Sequence, residues 1–150
     1  MNPVETRLRV RYAETDQMGI VYHANYLVWM EVARTEYCRA AGIRYRDLER
    51  EEGILLAVVE ANCRYVSPAL YDEEVIVRTW IAQAHPRLLR FAYELVDAAT
   101  NRLLATGETK HIFCDRERRA TKLPEKYRAA FGIGPLVVAR DSDARSEPRP

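Results

Sequence analysis

Residues 24–42 read ANYLVWMEVARTEYCRAAG and hold the longest helical pattern in the chain. Apolar side chains recur there at spacings of three and four, which is the period of an α-helix that buries one face. They are Tyr26, Met30, Ala33, Tyr37 and Ala41, with Trp29 and Val32 widening the same face. Gly42 follows the last of them, and a glycine in the left-handed conformation commonly ends a helix. The sequence therefore predicts one long, well-buried helix over residues 24–41.

Alternation of apolar and polar residues on both sides of this helix predicts β-strands. In residues 5–12, three arginines fall on one face of a strand, and the other face carries Leu8, Val10 and Tyr12. Residues 55–65 alternate again, and their odd-numbered members are predicted to share one face. The opposite face of that run carries Glu60, Asn62 and Arg64. Three further strands are expected at about residues 75–81, 89–95 and 102–113.

The four later strands follow one another with short links, which predicts an antiparallel meander. Residues 84–87 and 97–101 suit hairpin connections, and a short helix over residues 125–131 is expected to complete the fold. One apolar helix must bury itself against such a sheet, so the expected fold class is α+β. A small sheet that covers a single helix leaves edge strands and an outer face exposed. Contact with a second copy would cover them, so a homodimer is expected.

Length and composition fit one ordinary globular domain. The chain has 150 residues, of which 48% are hydrophobic and 30% charged, so a substantial core is possible. Its formal net charge is only +1, which gives no global electrostatic reason to expect a nucleic acid or a membrane surface as partner. Residues 140–150 are charged, end in proline and offer almost nothing to bury, so we expect a domain over residues 1–134 followed by a disordered tail over residues 135–150.

Several features favour the cytoplasm. The N-terminus lacks the basic start and apolar stretch of a signal peptide, and no apolar run is long enough to cross a bilayer. Cys38, Cys63 and Cys114 are odd in number and far apart, which argues against a disulfide framework and fits a reducing compartment. No cysteine and histidine spacing resembles a zinc site, and no metal is expected.

Residues 12–26 read YAETDQMGIVYHANY and join the first strand to the long helix. The start of a helix offers free backbone N–H groups and the positive end of the helix dipole. A carboxylate, a glycine, a histidine and an asparagine converge there, at Asp16, Gly19, His23 and Asn25. Loops held by rigid elements commonly carry chemistry. This segment is therefore the predicted functional site.

The segment resembles the signature of the 4-hydroxybenzoyl-CoA thioesterase family, in its YbgC-like acyl-CoA thioesterase branch. The matching pattern is Asp16-x-x-Gly19-x-Val21-Tyr22-His23-x-Asn25-Tyr26, followed by Glu31-x-Ala33-Arg34-Thr35-Glu36, Gly53-Ile54, Val58-Val59-Glu60-Ala61 and Tyr65-x-Ser67-Pro68-Ala69. The resemblance covers about residues 5–130. It implies the hot-dog fold, in which an antiparallel sheet wraps around one long helix. It also implies a homodimer or a dimer of dimers (a homotetramer), with active sites at subunit interfaces and no metal.

The resemblance also implies roles for single positions. Asp16 corresponds to the catalytic carboxylate, which attacks the thioester carbonyl or activates a water. The backbone N–H of His23 corresponds to the group that polarises the thioester oxygen, and the His23 side chain matches a histidine of the YbgC-like branch. The 4-hydroxybenzoyl enzyme has tyrosine at that position, which weakens the case for an aromatic substrate. The expected substrate-binding residues are Gly19, Tyr22, Asn25, Glu60, Arg87 and Arg90. Coenzyme A enters only as part of the substrate, and no separate cofactor is expected.

The chemistry of the residues agrees with this resemblance. A carboxylate can serve as nucleophile or general base, and N–H groups at a helix start can stabilise an oxyanion. The chain has no Gly-x-Ser-x-Gly segment, so α/β-hydrolase chemistry is not supported. Three alternatives stay open: hydrolysis of acyl groups from acyl carrier protein, a hot-dog hydratase whose usual motif is absent here, and a module that binds acyl-CoA without turnover.

Overall fold

The computed structural model of the chain describes residues 3–134. Its longest helix, α1, spans Asn25–Ala40, as the apolar spacing predicts. The buried side chains of α1 are Tyr26, Trp29, Met30, Ala33, Tyr37 and Cys38. Gly42 follows the helix with a φ of +88°, the left-handed conformation expected of a glycine at that place. The expected tail over residues 135–150 lies outside the described residues.

Five strands form one antiparallel sheet, so the predicted α+β class is confirmed. They are β1 (Val4–Arg9), β2 (Leu55–Tyr65), β3 (Glu74–His85), β4 (Leu88–Asp97) and β5 (Leu103–Cys114). A short helix, α2 (Tyr45–Asp47), continues into a wider turn over Leu48–Glu52 that the sequence did not predict. The expected last helix is present as α3 (Glu125–Arg128) with a tighter turn over Ala129–Phe131. Among the described residues, no helix is long and apolar enough to span a lipid bilayer.

The order of the strands corrects the predicted meander. Neighbours in the sheet run β1-β3-β4-β5-β2, so β3, β4 and β5 do form a meander through their two hairpins. The strand β2 pairs with β5 and not with β3, and β1 takes the place beside β3. As a result β1 and β2 form the two opposite edges of the sheet.

The strand β1 is shorter than predicted. It ends at Arg9, and the chain turns through a single 3₁₀ turn at Tyr12–Glu14. Tyr12 therefore does not share the buried face of Leu8 and Val10, and it is 77% exposed with its ring against that of Tyr71. The strand pattern fails here because the chain must leave the sheet to reach the start of α1.

A bulge in β2 corrects the predicted face of residues 55–65. The register against β5 shifts between Val58 and Glu60, so two residues of β2 stand where one would pair. Before the bulge Leu56 faces the core, and after it Cys63 does. Leu56 and Cys63 therefore share the inner face, although strict alternation would place an even-numbered and an odd-numbered residue on opposite faces.

The helix α1 covers the inner face of the sheet and approaches it closely at β5. A Cβ on Gly107 would lie 2.5 Å from the Asn62 carbonyl oxygen and 2.5 Å from the terminal methyl of Met30. Only a glycine leaves room for both neighbours there. The fully buried Leu89, Phe91 and Leu95 of β4 belong to the same core.

The link between β2 and β3 runs from the β2 edge of the sheet across to β3, the neighbour of the opposite edge strand β1, and passes the start of α1. The Ala69 carbonyl accepts the Val21 N–H at 2.9 Å, and the Ala69 N–H donates to the Tyr26 hydroxyl at 3.1 Å. Farther on, the Asp72 N–H donates to the Val10 carbonyl at 3.1 Å. These bonds bring the link against the loop that carries Asp16.

Candidate active site

The loop after β1 folds back on itself around Asp16. The Asp16 N–H donates to the Ile20 carbonyl and the Gly19 N–H donates to the Asp16 carbonyl, both at 2.9 Å. Gly19 has a φ of +79°, which an L side chain adopts only with strain, so glycine suits this turn. The Met18 N–H donates to Asp16 Oδ1 at 2.9 Å. Within residues 3–134 the Asp16 carboxylate has no other hydrogen bond and no ion pair, which leaves Oδ2 available.

The start of α1 presents two backbone donors that have no acceptor among the described residues, the N–H groups of His23 and Ala24. Their neighbours are engaged, since the Asn25 N–H donates to the Tyr22 carbonyl at 2.9 Å and the Tyr26 N–H donates to the His23 carbonyl at 3.3 Å. The Tyr65 hydroxyl also donates to the His23 carbonyl, at 2.9 Å, and holds this turn in place. Free donors at a helix start suit a negatively charged oxygen.

Asp16 and His23 line the same cavity, whose volume is ≈ 330 Å³. Its other lining residues are Met18, Ile20, Val21, Tyr26, Tyr65, Val66, Ser67 and Pro68. Most of this lining is apolar or aromatic, which suits an acyl group better than a charged one. The structure thus brings together the two residues predicted to be catalytic.

Aromatic rings form one wall of the cavity. The Tyr65 ring lies 5.1 Å from that of Tyr26 and 6.3 Å from that of His23, and the His23 ring lies 4.5 Å from that of Tyr22. Burial is the main cause that raises the pKa of Tyr26, and it raises the pKa of Tyr65 to about 12. Both hydroxyls are therefore neutral near pH 7 and serve as hydrogen-bonding groups.

Glu14 is a residue of this site that the sequence did not predict. Its side chain is only 8% exposed, although it carries a charge in a loop. The carboxylate accepts the Arg11 N–H at 2.8 Å and the Trp29 indole N–H at 3.0 Å, and it forms an ion pair with the Arg11 guanidinium at 3.3 Å. Burial acts to raise the pKa of Glu14, but these hydrogen bonds outweigh it and lower the pKa below its ordinary value.

Two of the predicted substrate-binding residues support the loop without lining the cavity. The Asn25 side-chain amide donates to the Glu14 carbonyl at 2.9 Å and so ties the helix start to the loop. The Tyr22 N–H donates to the same carbonyl at 2.9 Å, while its side chain is 48% exposed beside His23.

Glu60 and Arg90 lie on the outer face of the sheet, away from this cavity. Arg90 stands between the fully buried Leu89 and Phe91, so its side chain points away from the core. Its guanidinium lies 3.5 Å from Glu108 and 3.9 Å from Glu60, and each of these partners is an acid. The structure therefore does not bring either residue to the site of its own chain.

Arg87 lies at the opposite end of the sheet. Its carbonyl accepts the Phe113 N–H at 3.3 Å, and Phe113 pairs with Leu56 near the beginning of β2. Tyr65, which lines the cavity, ends the same strand, about 30 Å away at ~3.3 Å per residue. Arg87 cannot reach the cavity of its own chain.

The far wall of the cavity was missed as a functional surface because it comes from another part of the chain. Tyr65 ends β2 and residues 66–68 follow it, and only the match to Tyr65-x-Ser67-Pro68 pointed to them. Met18 and Ile20 lie in the motif itself, but nothing in their spacing assigned them to a cavity. Within residues 3–134, no group of three His, Cys, Asp or Glu side chains could hold a metal ion.

Comparison with known proteins identifies the family. A family model described as "Thioesterase-like superfamily" matches residues 10–131. The putative acyl-CoA thioesterase YneP of Bacillus subtilis is 41% identical over 131 residues, which cover 87% of this chain and 91% of that protein. The acyl-CoA thioester hydrolase YbgC of Escherichia coli O6:H1 is 31% identical over 125 residues, or 83% and 92% of the two chains.

Among solved structures, the 4-hydroxybenzoyl-CoA thioesterase of Pseudomonas sp. strain CBS-3 superposes with a TM-score of 0.78. It is 23% identical and covers 87% of this chain and 99% of its own, so it supports the hot-dog fold alone. The resemblance drawn from the motifs between Asp16 and Ala69, over about residues 5–130, is confirmed by the extent of these matches. The chain belongs to the thioesterase-like superfamily.

Proposed function

We propose that the chain is an acyl-CoA thioesterase that hydrolyses the thioester bond to a free acid and coenzyme A. The observation that carries the proposal is that Asp16, which keeps one carboxylate oxygen free, and His23, at the start of α1, line the same cavity. The relatives named acyl-CoA thioesterases, at 41% and 31% identity, support the same reaction. The chain is accordingly an enzyme of the thioester hydrolase class.

We propose a role for each group of the site. The thioester oxygen would take the N–H groups of His23 and Ala24, which stabilise the charge that develops on it. Asp16 would attack the carbonyl carbon or remove a proton from an attacking water. The carbon–sulfur bond then breaks, coenzyme A leaves as its thiol, and the water supplies the hydroxyl of the released acid. The mechanism uses no metal or separate cofactor.

The acyl group would lie against the apolar part of the cavity. Ile20, Tyr26, Tyr65 and Val66 provide that surface, and the buried Tyr26 closes it on the side of α1. The His23 side chain also lines the cavity, and we propose that it contacts the thioester end of the substrate.

A homo-oligomer is part of the proposal because the strand β2 is unpaired on one side. It is an edge strand, and Val58, Val59 and Tyr65 on it are between 47% and 48% exposed. A second copy that pairs along this edge would bury them. In such an oligomer, Arg87 of one copy could bind the phosphates of a coenzyme A whose acyl group lies in the cavity of another copy. Light scattering should give at least twice the mass of one chain.

The relatives named above act on acyl-CoA by their names, so they do not favour acyl carrier protein or a module without turnover. We propose the cytoplasm as the location, because Cys38, Cys63 and Cys114 are all free thiols.

The decisive test is thiol release from a panel of acyl-CoA esters. The Asp16→Asn variant should lose activity by a factor on the order of 10²–10⁴, the usual contribution of a positioned base. Asp47→Asn is a matched control, because it makes the same change in α2, outside the cavity, and should keep wild-type activity. Wild-type turnover that survives in Asp16→Asn would refute the assignment of Asp16. No turnover from the wild type on any ester would refute the activity itself.

A further inference from the structure

We propose that Glu14 is a positioning residue for thioester hydrolysis, which fixes Asp16 relative to the free N–H groups at the start of α1. This inference rests on the proposed function, since it concerns the rate of that same reaction. Glu14 does not line the cavity and would not touch the substrate. It would act through the backbone that carries the reacting groups.

The carboxylate of Glu14 joins the loop after β1 to the helix α1. It binds the N–H of Arg11, two residues after the end of β1, and the indole of Trp29 in the second turn of α1. A buried charge is costly unless it is paired and fully hydrogen-bonded, and here both oxygens have N–H partners. Hydrogen bonds to a charged acceptor are stronger than neutral ones, so they hold the loop firmly to the helix.

The backbone of Glu14 binds the other side of the site. Its carbonyl accepts two donors at 2.9 Å, the Tyr22 N–H and the Asn25 side-chain amide. Tyr22 directly precedes His23, whose N–H is one of the free donors. Asp16 comes two residues after Glu14, and a β-bridge joins the intervening Thr15 to Val21. One residue thus holds both the carboxylate and the donors that must face the thioester.

Misplacement of reacting groups by about 1 Å can cost on the order of 10²-fold in rate. In Glu14→Gln one carboxylate oxygen becomes an NH₂ group, which is a donor. Whichever way the amide turns, that NH₂ faces the Arg11 N–H or the Trp29 indole N–H, because each carboxylate oxygen accepts one of them. The substitution keeps the size of the side chain and breaks one of the two anchors.

The experiment compares steady-state kinetics of Glu14→Gln, Trp29→Phe and wild type on one acyl-CoA ester. We expect kcat to fall roughly 10- to 100-fold in Glu14→Gln with KM nearly unchanged, because the loss falls on the transition state. Trp29→Phe removes the indole donor and part of a buried ring but leaves the Arg11 bond to Glu14 in place, so it should lower kcat by a smaller factor. Glu52→Gln is the matched control: Glu52 also binds a tyrosine and a lysine, but far from the cavity, and kcat should stay at the wild-type value.

Two outcomes would overturn the proposal. One is wild-type kcat in Glu14→Gln while Asp16→Asn is inactive, which would leave the proposed function standing and remove the role of Glu14. The other is a loss of activity that equals the loss of folded protein, so that kcat per active site, from a burst or active-site titration, is unchanged. That result would show that Glu14 affects stability alone. Melting curves of all variants, with kinetics measured well below each midpoint, separate these outcomes. Activity that persists in Asp16→Asn would instead refute the proposed function.

Discussion

Acidification should destabilise the fold through His111, and the variant His111→Gln should remove that effect. His111 is fully buried on β5. Its Nε2 lies 2.8 Å from the Thr109 hydroxyl, its Nδ1 has no partner among the described residues, and its ring meets Phe91 at a right angle. Within residues 3–134, the charged group that lowers its pKa is the Arg34 guanidinium.

The magnitude follows from the two states of this histidine. Burial and then the charge of Arg34 lower the pKa of His111 from 6.5 to about 3 in the folded protein. Below pH 6.5 the unfolded chain binds a proton that the folded protein does not, so stability falls as the pH falls. Each pH unit below 6.5 lowers the unfolding free energy by about 1.4 kcal/mol, which amounts to roughly 2 kcal/mol by pH 5. The lowered pKa of Glu14 changes the unfolding free energy only below the ordinary carboxyl value of 4.5. It therefore does not interfere with the measurement above pH 5.

The assay is urea unfolding followed by tryptophan fluorescence between pH 7.5 and pH 5. Wild type should lose about 2 kcal/mol more over this range than His111→Gln, whose amide can still bind the Thr109 hydroxyl. His85→Gln is the matched control, because His85 is exposed at the end of β3, and it should keep the wild-type slope. Equal pH slopes for wild type and His111→Gln would refute the reasoning.

Three further substitutions test the packing and the placement of side chains. Gly107→Ala should destabilise the fold by about 1–3 kcal/mol or more, because its Cβ would overlap the Asn62 carbonyl and Met30, and thermal unfolding would show it. Tyr65→Phe should lower kcat about 3- to 10-fold through loss of the bond to the His23 carbonyl, worth about 1 kcal/mol; unchanged kcat would contradict this. Arg90→Ala should leave kcat unchanged, since Arg90 lies on the outer face among acids, and a large loss of kcat would show that this face takes part in the reaction.

The elements of this fold were predictable where the signal was local. The helix α1 and its end at Gly42 follow from a periodic pattern and a glycine within one stretch of chain. The two hairpins that join β3, β4 and β5 also follow from short polar links. Each of these depends on residues that are neighbours in the sequence, so no knowledge of the rest of the molecule was required.

The order of the sheet and the faces of β2 were not predictable in this way. Short links favour pairing of successive strands, yet the link between β2 and β3 crosses the fold, held by Val21, Tyr26 and Val10. The bulge between Val58 and Glu60 is likewise invisible in the alternation, because both sides of it read as regular strand. Long-range hydrogen bonds decided both features.

Residues of the site were likewise predicted only where their signal was local in the sequence. Asp16 and His23 were found because a carboxylate and a helix start stand close together in one segment. Glu14 was missed, because a glutamate in a polar loop gives no sign of burial until Trp29 is placed beside it. Glu60 was selected as an interruption of an apolar strand, but it lies on the outer face of the sheet, 3.9 Å from Arg90.

The unpredicted topology is also what completes the site. With β1 and β2 at opposite edges, the loop after β1 and the link after β2 can meet only where both pass the start of α1. The first supplies Asp16, and the second supplies Val66, Ser67 and Pro68 to the same cavity. In a plain meander, with β2 beside β3, the link would be a tight turn at one edge and the carboxylate would lack its apolar wall. Substitutions that loosen the link at Ala69, where both backbone groups are bonded, should therefore reduce activity before they unfold the sheet.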